Sequence, residues 1–240
     1  MFFGLKVSRY QKPIRSGINL NVGCGQYEID GFESLDFYSD YYYASNKFKR
    51  VRYDMRKDAL PYKTQTVSTI FCSHVIEHIE TEFVSNFFHE SYRVLKPGGV
   101  LRIVCPDADY LYLQYKKHPS YFQWHNLYKS EESAELCFID EVAGHKINLP
   151  NYGLKRKISE YSYDEVIPLL REGGKFDPTN PGIHINSWDF NRISKLGFDS
   201  GFSDIQKSQF QSSYHPFLQA QDIDLMHPVM SLYVDLYKTN

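Results

Sequence analysis

Two glycines and one acidic residue near the start of the chain have the types and spacing to bind a ligand. Residues 18–22 form a short apolar run that ends at Gly23 and Gly25. Because glycine has no Cβ atom, the backbone can turn sharply there and a ligand can approach it closely. A second run, residues 31–36, ends on Asp36, and an acid at the tip of a strand can accept both hydroxyls of a ribose. The spacing predicts a ribose-containing ligand, with an ordinary tight turn as the alternative, because the third glycine of the dinucleotide fingerprint is missing.

Three side chains of metal-ligand type occur together in one short segment. His74, Glu77 and His78 stand at positions i, i+3 and i+4, which share one face of a helix. The spacing matches the His-x-x-Glu-His pattern of inverted zinc proteases. The position of the segment, between a predicted strand and a predicted helix, argues against a protease.

Other side chains are candidates for a general base. A neutral imidazole can take a proton from a hydroxyl near neutral pH. The candidates are His184, His145, Asp107 and His78. For each histidine the alternative is a solvated or capping side chain, and neither His118 nor His125 has a supporting context.

The elements that must position these residues alternate between strand and helix in the first part of the chain. Apolar and β-branched runs predict strands at residues 18–22, 31–36, 48–53, 67–72 and 100–105. Helices are predicted from residues 74–79 and over residues 82–95, with Pro97 and Gly98 ending the second. This alternation indicates βαβ units and a parallel sheet.

A long middle segment, residues 108–182, carries no strand signal and has helical patches at residues 110–117 and 163–171. A connection of that length inside a compact domain is typically a lid or a binding insert. Its aromatic side chains can stack on a flat ligand face. They include its tyrosines and Phe122, Trp124 and Phe138.

Regular structure is predicted again near the end of the chain. A helix at residues 188–196, closed by Gly197, is followed by strands at residues 205–210 and 231–237. A long loop joins these two strands.

Composition restricts the class of protein. The 240 residues can form one α/β domain, residues 1–240, that includes the insert. The formal net charge is −2, from 27 basic and 29 acidic residues, so no nucleic-acid partner is predicted. Four cysteines without a Cys-x-x-Cys pair favour a reducing, cytoplasmic location. No signal peptide or transmembrane segment is predicted, and the oligomeric state is left open.

Several stretches, taken in order, resemble the class I S-adenosylmethionine-dependent methyltransferases, in the branch that modifies small molecules and glycans. They are residues 20–25 (LNVGCG), 31–36 (GFESLD), 54 with 60–62 (LPY), 72–79 (CSHVIEHI), 93–99 (RVLKPGG) with 106–107 (PD), 184–198 and 231–234. Together they span roughly two thirds of the chain, and the first five, in the right order, are a specific signal; the last two look like the closing elements of the family. The resemblance implies an α/β, Rossmann-like, seven-stranded and mostly parallel sheet with an antiparallel last strand. It also implies helices on both faces and a lid inserted between strand 5 and the following helix.

The resemblance assigns eight residues to the cofactor, S-adenosylmethionine. They follow the first four strands: Gly23, Cys24, Gly25, Asp36, Asp54, Met55, Ser73 and His74. The glycine turn would hold the methionine part through backbone groups, and Asp36 would accept the ribose hydroxyls. Asp54 and Met55 would bracket the adenine edge, while Ser73 and His74 would flank the methionine end.

The resemblance leaves two interpretations of His74, Glu77 and His78. Some methyltransferases that act on vicinal diols bind a divalent ion through a related cluster of acids and histidines. Many metal-free members carry a similar sequence, in which Glu77 and His78 are structural or line the pocket. The second interpretation is favoured, so no metal is expected.

The implied reaction is methyl transfer to a hydroxyl of a sugar or glycan. Transfer from a sulfonium is an in-line displacement that depends mainly on positioning, with a base where the nucleophile is a hydroxyl. His184, just before the closing helix, is the first candidate for that base. The alternatives are a quinone-like or other small aromatic acceptor and, from another class, a non-catalytic binding or scaffold module, which the intact Asp36 and Asp54 argue against. Balanced charge disfavours a nucleic-acid acceptor.

Overall fold

The structure, a computed structural model, describes residues 17–37, 49–118, 133–219, 223–224 and 228–239. Four residues named in the predictions above lie outside this part of the chain. They are Phe48, at the predicted start of the third strand, and Phe122, Trp124 and His125 in the insert.

Seven strands form one sheet. They are β1 (Ile18–Val22), β2 (Glu33–Asp36), β3 (Val51–Arg52), β4 (Val67–Ser73), β5 (Leu95–Pro106), β6 (Asp204–Ser208) and β7 (Ser231–Tyr237). Their order across the sheet is β3-β2-β1-β4-β5-β7-β6. The pairs among β1 to β5 are parallel, and β7 runs antiparallel to both of its neighbours, β5 and β6. This confirms the predicted Rossmann-like sheet with an antiparallel last strand.

The centre of the sheet positions the ligand-binding edge. β1 lies between β2 and β4, and its Val22 is in register with Leu35 and with Cys72. The residues that follow these three therefore emerge together at the carboxyl edge of the sheet. The chain moves outward in opposite directions from β1, first to β2 and then to β4, which makes this edge the topological switch point where ligands bind in open α/β sheets.

Five α-helices occur in the described residues. They are α1 (Thr81–Val94), α2 (Ala108–Lys117), α3 (Ala134–Ala143), α4 (Tyr163–Arg171) and α5 (Phe190–Ser200). Short 3-10 turns occupy Ile76–His78, Gly144–Lys146, Pro150–Gly153, Ile158–Glu160 and Pro216–Leu218. Helices α1 and α5 contact each other and cover one face of the sheet with an apolar core. On the opposite face, the apolar cluster of the sheet is completed by Ile29, Leu218 and Ile223.

The insert folds as a helical layer with a core of its own. Helix α3 contacts α2 and α4, and Leu111, Phe138 and Val166 are fully buried among them. No strand occurs in the described residues of the insert, as predicted. Its action as a lid stays a prediction.

Two local predictions were wrong. Residues 74–79 do not begin a helix, because His74 has a left-handed φ of +54° and only a 3-10 turn follows before α1 begins at Thr81. Helix α5 continues through Gly197 and ends at Gly201, whose φ of +108° suits a helix end. A Cβ atom at Gly197 would lie 2.5 Å from Leu236 Cδ2, so this glycine allows close packing of the helix on β7 rather than ending the helix.

Two further features differ from a regular βαβ pattern. Residues 23–32 pass from β1 to β2 through turns, without the helix that alternation predicts. Strand β3 is only Val51–Arg52, shorter than the predicted 48–53.

None of the described helices is long and apolar enough to cross a membrane. All four cysteines are buried, and none of them forms a disulfide in this structure.

Candidate active site

A cavity of about 420 Å³ opens at the carboxyl edge of β1, β2 and β4. All eight residues predicted to hold the cofactor line it: Gly23, Cys24, Gly25, Asp36, Asp54, Met55, Ser73 and His74. Among the candidate bases, His78 lines it as well. One cavity therefore joins the glycine turn, the acid at the tip of β2 and part of the histidine-rich segment.

The glycine turn is held by backbone bonds and by close packing. The N–H groups of Gly23 and Cys24 both donate to the Leu35 carbonyl, at 2.8 and 3.2 Å. Gly23 has a φ of +69°, and a Cβ atom there would lie 2.2 Å from Val75 Cγ2. Gly25 has a φ of +52°, but a Cβ atom there would meet no protein atom within 4 Å. Gly23 is thus required by the protein itself, whereas Gly25 leaves space on the cavity side of the turn.

Asp36 is buried and faces the same turn. Its Oδ2 accepts from the Gly25 N–H at 2.8 Å, and its Oδ1 accepts from the Phe37 N–H at 2.8 Å. Burial raises the pKa of this carboxyl, and the two N–H donors and Arg50 offset part of that effect. The Cys24 thiol also donates to Oδ2, at 3.8 Å. The acceptor capacity that remains, mainly on Oδ1, is available to donors from a ligand.

Asp54 is held by its own neighbour. Arg56 donates from Nε to Oδ1 at 2.9 Å and from Nη2 to Oδ2 at 2.7 Å. Burial acts to raise the pKa of Asp54, but the hydrogen bonds and charge of Arg56 outweigh it and hold the pKa below its usual value. The other side of Arg56 packs on Phe176, with the guanidinium carbon 3.8 Å from the ring centroid.

Cys24 in the glycine turn and His74 after β4 both line the cavity. Burial, followed by the nearby charge of Asp36, raises the pKa of the Cys24 thiol to about 12, so the thiol is neutral at physiological pH. The His74 ring lies between two groups: its Nε2 is 3.0 Å from Ser231 Oγ and its Nδ1 is 3.1 Å from Glu77 Oε1.

Glu77, His78 and His184 form a compact cluster beside the cavity. The rings of His78 and His184 are 4.8 Å apart in an edge-to-face arrangement, and one candidate ligand atom from each of the three side chains lies within 4.8 Å of the others. Two backbone bonds bring His184 here, because the N–H groups of Ile185 and Asn186 both donate to the Glu77 carbonyl at 2.9 Å.

The pKa values of Glu77 and His184 in this cluster differ strongly from those of exposed groups. Burial acts to raise the pKa of Glu77, but the adjoining His74, followed by His78 and His184, outweighs it and lowers the pKa to about 2. Burial, followed by the neighbouring His78, lowers the pKa of His184 to about 4. Glu77 is therefore ionised and His184 neutral at physiological pH.

The two other candidate bases do not line the cavity. The ring nitrogens of His145 contact backbone carbonyls, those of His184 at 3.3 Å and Glu172 at 3.4 Å. Asp107 caps α2 by accepting from the Tyr110 N–H, and its other oxygen is 3.1 Å from Lys207 Nζ. Their assignment as bases stays a prediction.

Sequence reasoning missed several residues of the cavity. Phe37 directly follows Asp36, and Arg56 lies two residues after Asp54. The sequence alone therefore places both near predicted site residues. Phe176 belongs to the insert and is 120 residues from Arg56 along the chain, a separation that no local pattern reports. Tyr53 and Ile223 also line the cavity.

Comparisons with known proteins agree with this architecture. A family model described as a methyltransferase domain matches residues 33–103, which run from the start of β2 into β5 and include the acid, the cavity-lining end of β4 and the Glu77-His78 pair. No curated protein matches the chain.

Solved structures with a similar fold include a S-adenosylmethionine-dependent methyltransferase, possibly a histamine N-methyltransferase, from Thermotoga maritima. It is 14% identical, with 94% of this chain and 84% of that chain covered and a TM-score of 0.46. A methyltransferase from Archaeoglobus fulgidus is 14% identical (92% and 86% covered, TM-score 0.47), and one from Mesorhizobium loti is 15% identical (92% and 90% covered, TM-score 0.47). With identity and TM-score this low, the acceptors of those proteins say nothing about this chain.

The family assignment depends on features of the chain itself. The matched domain model, the seven-stranded sheet with antiparallel β7, and the cavity between the glycine turn and Asp36 all agree. Together they imply S-adenosylmethionine as the cofactor. Residues 33–103 match a methyltransferase domain model, and the seven-stranded sheet has the Rossmann-like topology of that fold.

Proposed function

We propose that this methyltransferase binds S-adenosylmethionine in the cavity at the edge of β1, β2 and β4 and methylates a hydroxyl of a sugar or glycan. The observation that carries the proposal is the lining of that cavity. It combines the eight residues assigned to the cofactor with His78, so a donor and a proton-accepting side chain adjoin the same space.

The cofactor end of the cavity uses backbone groups and one carboxylate. The glycine turn holds the methionine part, and Asp36 accepts the ribose hydroxyls with its free lone pairs. Asp54 and Met55 lie at the adenine edge, where Arg56 already neutralises the Asp54 charge. Ser73 and His74 flank the methionine end, beside the left-handed backbone turn that ends β4.

The acceptor end is assigned to the histidines. A hydroxyl is a poor nucleophile until it loses its proton. A positioned base that takes this proton typically accelerates the reaction by roughly 10²–10⁴-fold. Of the four candidates, His78 alone lines the cavity, so it is the best placed to contact an acceptor. The ring of His184 packs edge-to-face against the ring of His78 and holds it in position.

The preference for a sugar acceptor depends on the insert. Tyr110, Tyr152 and Tyr163 are only partly buried against the core of the insert, and aromatic rings of this kind can stack on the apolar face of a sugar. A flat aromatic acceptor would use the same rings, so this class is the principal competitor.

A screen with a radiolabelled methyl donor tests the proposal. The purified chain is incubated with labelled S-adenosylmethionine and with separate pools of oligosaccharides, nucleotide sugars, catechols and quinols, small amines and RNA. We expect label in a saccharide pool, and none with a Gly23→Val chain, which cannot form the turn. Label only in the catechol and quinol pool would replace the acceptor class, and no cofactor binding by the parent chain would overturn the cavity assignment.

A further inference from the structure

Glu77, His78 and His184 bring two imidazoles and one carboxylate together from distant parts of the chain. The first two are adjacent in the 3-10 turn after β4, and His184 is more than a hundred residues further along. The sequence motif suggested His74 as the third member, and no metal was expected. The structure instead supplies His184, which sequence spacing does not connect with the other two.

Both histidines of the cluster have a fixed tautomer. His78 Nδ1 is 3.0 Å from the Ile183 carbonyl, and His184 Nδ1 is 2.7 Å from the Glu141 carbonyl. A carbonyl can only accept, so each Nδ1 must carry the hydrogen, and each Nε2 presents a lone pair. A backbone carbonyl that orients a histidine in this way is the usual outer partner of a metal ligand.

The carboxylate of the cluster lacks hydrogen-bond partners. Glu77 is 0% exposed, and neither of its side-chain oxygens has a hydrogen bond of acceptable geometry. The His74 Nδ1 lies 3.1 Å from Oε1, and among the described residues Oε2 has no hydrogen-bond partner. A buried carboxylate oxygen that accepts no hydrogen bond is costly unless a cation joins it.

We propose that Glu77, His78 and His184 bind a divalent transition-metal ion beside the methyl-donor cavity. The donor set is two imidazole nitrogens and one carboxylate oxygen, which suits Zn²⁺, Co²⁺ or Mn²⁺ better than Mg²⁺ or Ca²⁺, whose ligands are mostly oxygens. Three protein ligands leave a coordination position open for a substrate oxygen.

The distances require only a small adjustment. Tetrahedral ligand atoms about 2.1 Å from Zn²⁺ lie roughly 3.4 Å apart. His78 Nε2 is 4.0 Å from Glu77 Oε1, and the three ligand atoms are within 4.8 Å of one another. The ligand atoms must therefore approach one another by at most about 1.4 Å to close the set. His78 lines the cavity, which gives the ion a path from solvent.

The ion would act on the acceptor, a step that depends on the proposed function. A hydroxyl bound at the open position loses its proton more easily because the cation stabilises the alkoxide. The proton passes to solvent or to a nearby base, and the alkoxide oxygen forms its bond to the methyl carbon as the sulfonium sulfur leaves with the electron pair. With the ion bound, the cation takes over the activation of the hydroxyl that the metal-free site assigns to His78, and His78 holds the ion.

Metal binding is tested on the full chain after treatment with a chelator. Zn²⁺ is titrated by calorimetry, and Co²⁺ is added to record its visible absorption, which reports nitrogen and oxygen coordination. The variants are Glu77→Gln, which keeps the shape of the side chain, and His184→Ala. His89→Ala, an exposed histidine on α1 outside the cluster, is the matched control.

We expect one ion per parent chain, unchanged affinity in the control, and at least about a hundredfold weaker binding in both cluster variants, which exceeds the typical effect of losing an outer partner. Circular dichroism and S-adenosylmethionine titration of the metal-free variants check that each is folded. A parent chain that binds the methyl donor but no Zn²⁺ or Co²⁺ overturns the metal site alone. A chain that binds the ion but not the donor overturns the proposed cofactor cavity instead.

Discussion

The backbone N–H of Gly25 donates to Asp36 Oδ2 across 2.8 Å, and this bond joins the turn after β1 to the tip of β2. The carboxylate is therefore already oriented before a ligand enters. It is 7% exposed, and its free lone pairs are those available to ribose hydroxyls. A site that is preorganised in this way loses little on binding, because the protein group is not reordered.

Replacing Asp36 tests that arrangement directly. Asp36→Ala should weaken binding of S-adenosylmethionine by about 1–3 kcal/mol, since two hydroxyl donors lose a charged acceptor. Isothermal calorimetry with the cofactor and with its demethylated product measures the loss. Affinity equal to that of the parent would mean that Asp36 serves only to fix the glycine turn.

The raised pKa of Asp36 predicts a dependence of cofactor binding on pH. Only the ionised carboxylate can accept both hydroxyls, so affinity should fall as the pH decreases through the pKa of the folded state. Because burial raises this pKa above the ordinary value of 3.8, the loss should begin at a higher pH than for an exposed aspartate. The matched variant Asp36→Asn should bind more weakly and without this dependence. Parallel pH profiles for the two chains would contradict the assignment.

The two glycines of the turn should respond differently to substitution. Gly23→Val should abolish cofactor binding, because its side chain would overlap Val75 and its φ of +69° is unfavourable for a β-branched residue. Gly25→Ala has no protein atom to meet, so its cost in stability should be limited to the strain of an alanine at a left-handed φ, about 1–2 kcal/mol. It should therefore lower the melting temperature less than Gly23→Val does, while weakening binding. Thermal unfolding with and without cofactor separates the two effects, and equal losses of stability would show that both glycines are merely structural.

Local sequence pattern predicted those parts of the fold whose cause is local. β1, β7 and α4 have the predicted limits, because each is a run of apolar residues of one period bounded by a turn or a cap. Gly197 was misassigned as a helix end because a glycine in that position has two explanations. The second explanation, that the glycine allows close approach to Leu236 on β7, depends on tertiary packing. It cannot be recognised without knowing which strand lies beneath the helix.

The histidine cluster shows the same limit in the site. His184 was singled out because it precedes the closing helix, and His78 because it follows β4. What places them against Glu77 is a pair of backbone bonds from Ile185 and Asn186. Backbone bonds of this kind leave no trace in residue type, so the sequence yields the members of the site but not their contacts.

Arg102 on β5 is the centre of a buried ionic network, and its replacement is expected to reduce stability strongly. Arg102 pairs with Asp235 on β7 and with Asp224, each at 2.7 Å, and all three side chains are inaccessible to solvent. Arg102→Leu would leave two buried carboxylates without a cation, although Ser213 still donates to Asp235 and the Gln211 N–H to Asp224. The free energy of unfolding should fall by about 3–5 kcal/mol. Urea denaturation measures the change. Lys195→Ala, which removes an exposed ion pair on α5, is the control and should change stability little, and an equally small effect at Arg102 would show that the network is replaceable.

The insert reaches the cofactor cavity through Phe176. Its ring lies 5.5 Å from that of Phe37 in an edge-to-face contact, and it covers the guanidinium of Arg56. Its backbone N–H donates to Glu80 Oε1 at 3.0 Å, which ties this segment to the residue just before α1. The Phe176 segment is therefore fixed beside the proposed adenine end of the cavity.

Phe176→Ala should consequently weaken S-adenosylmethionine binding by on the order of tenfold, because Arg56 loses its aromatic cover and the cavity opens to water at that end. Phe198→Ala, at an exposed position on α5, removes the same ring far from the cavity lining and should leave affinity unchanged. Calorimetric titration of both variants gives the comparison, with melting temperatures recorded to exclude general unfolding. If the insert closes over the cavity, the Phe176 variant should also release the demethylated product faster in stopped-flow displacement. Parental affinity and parental release rate together would restrict the insert to a structural role.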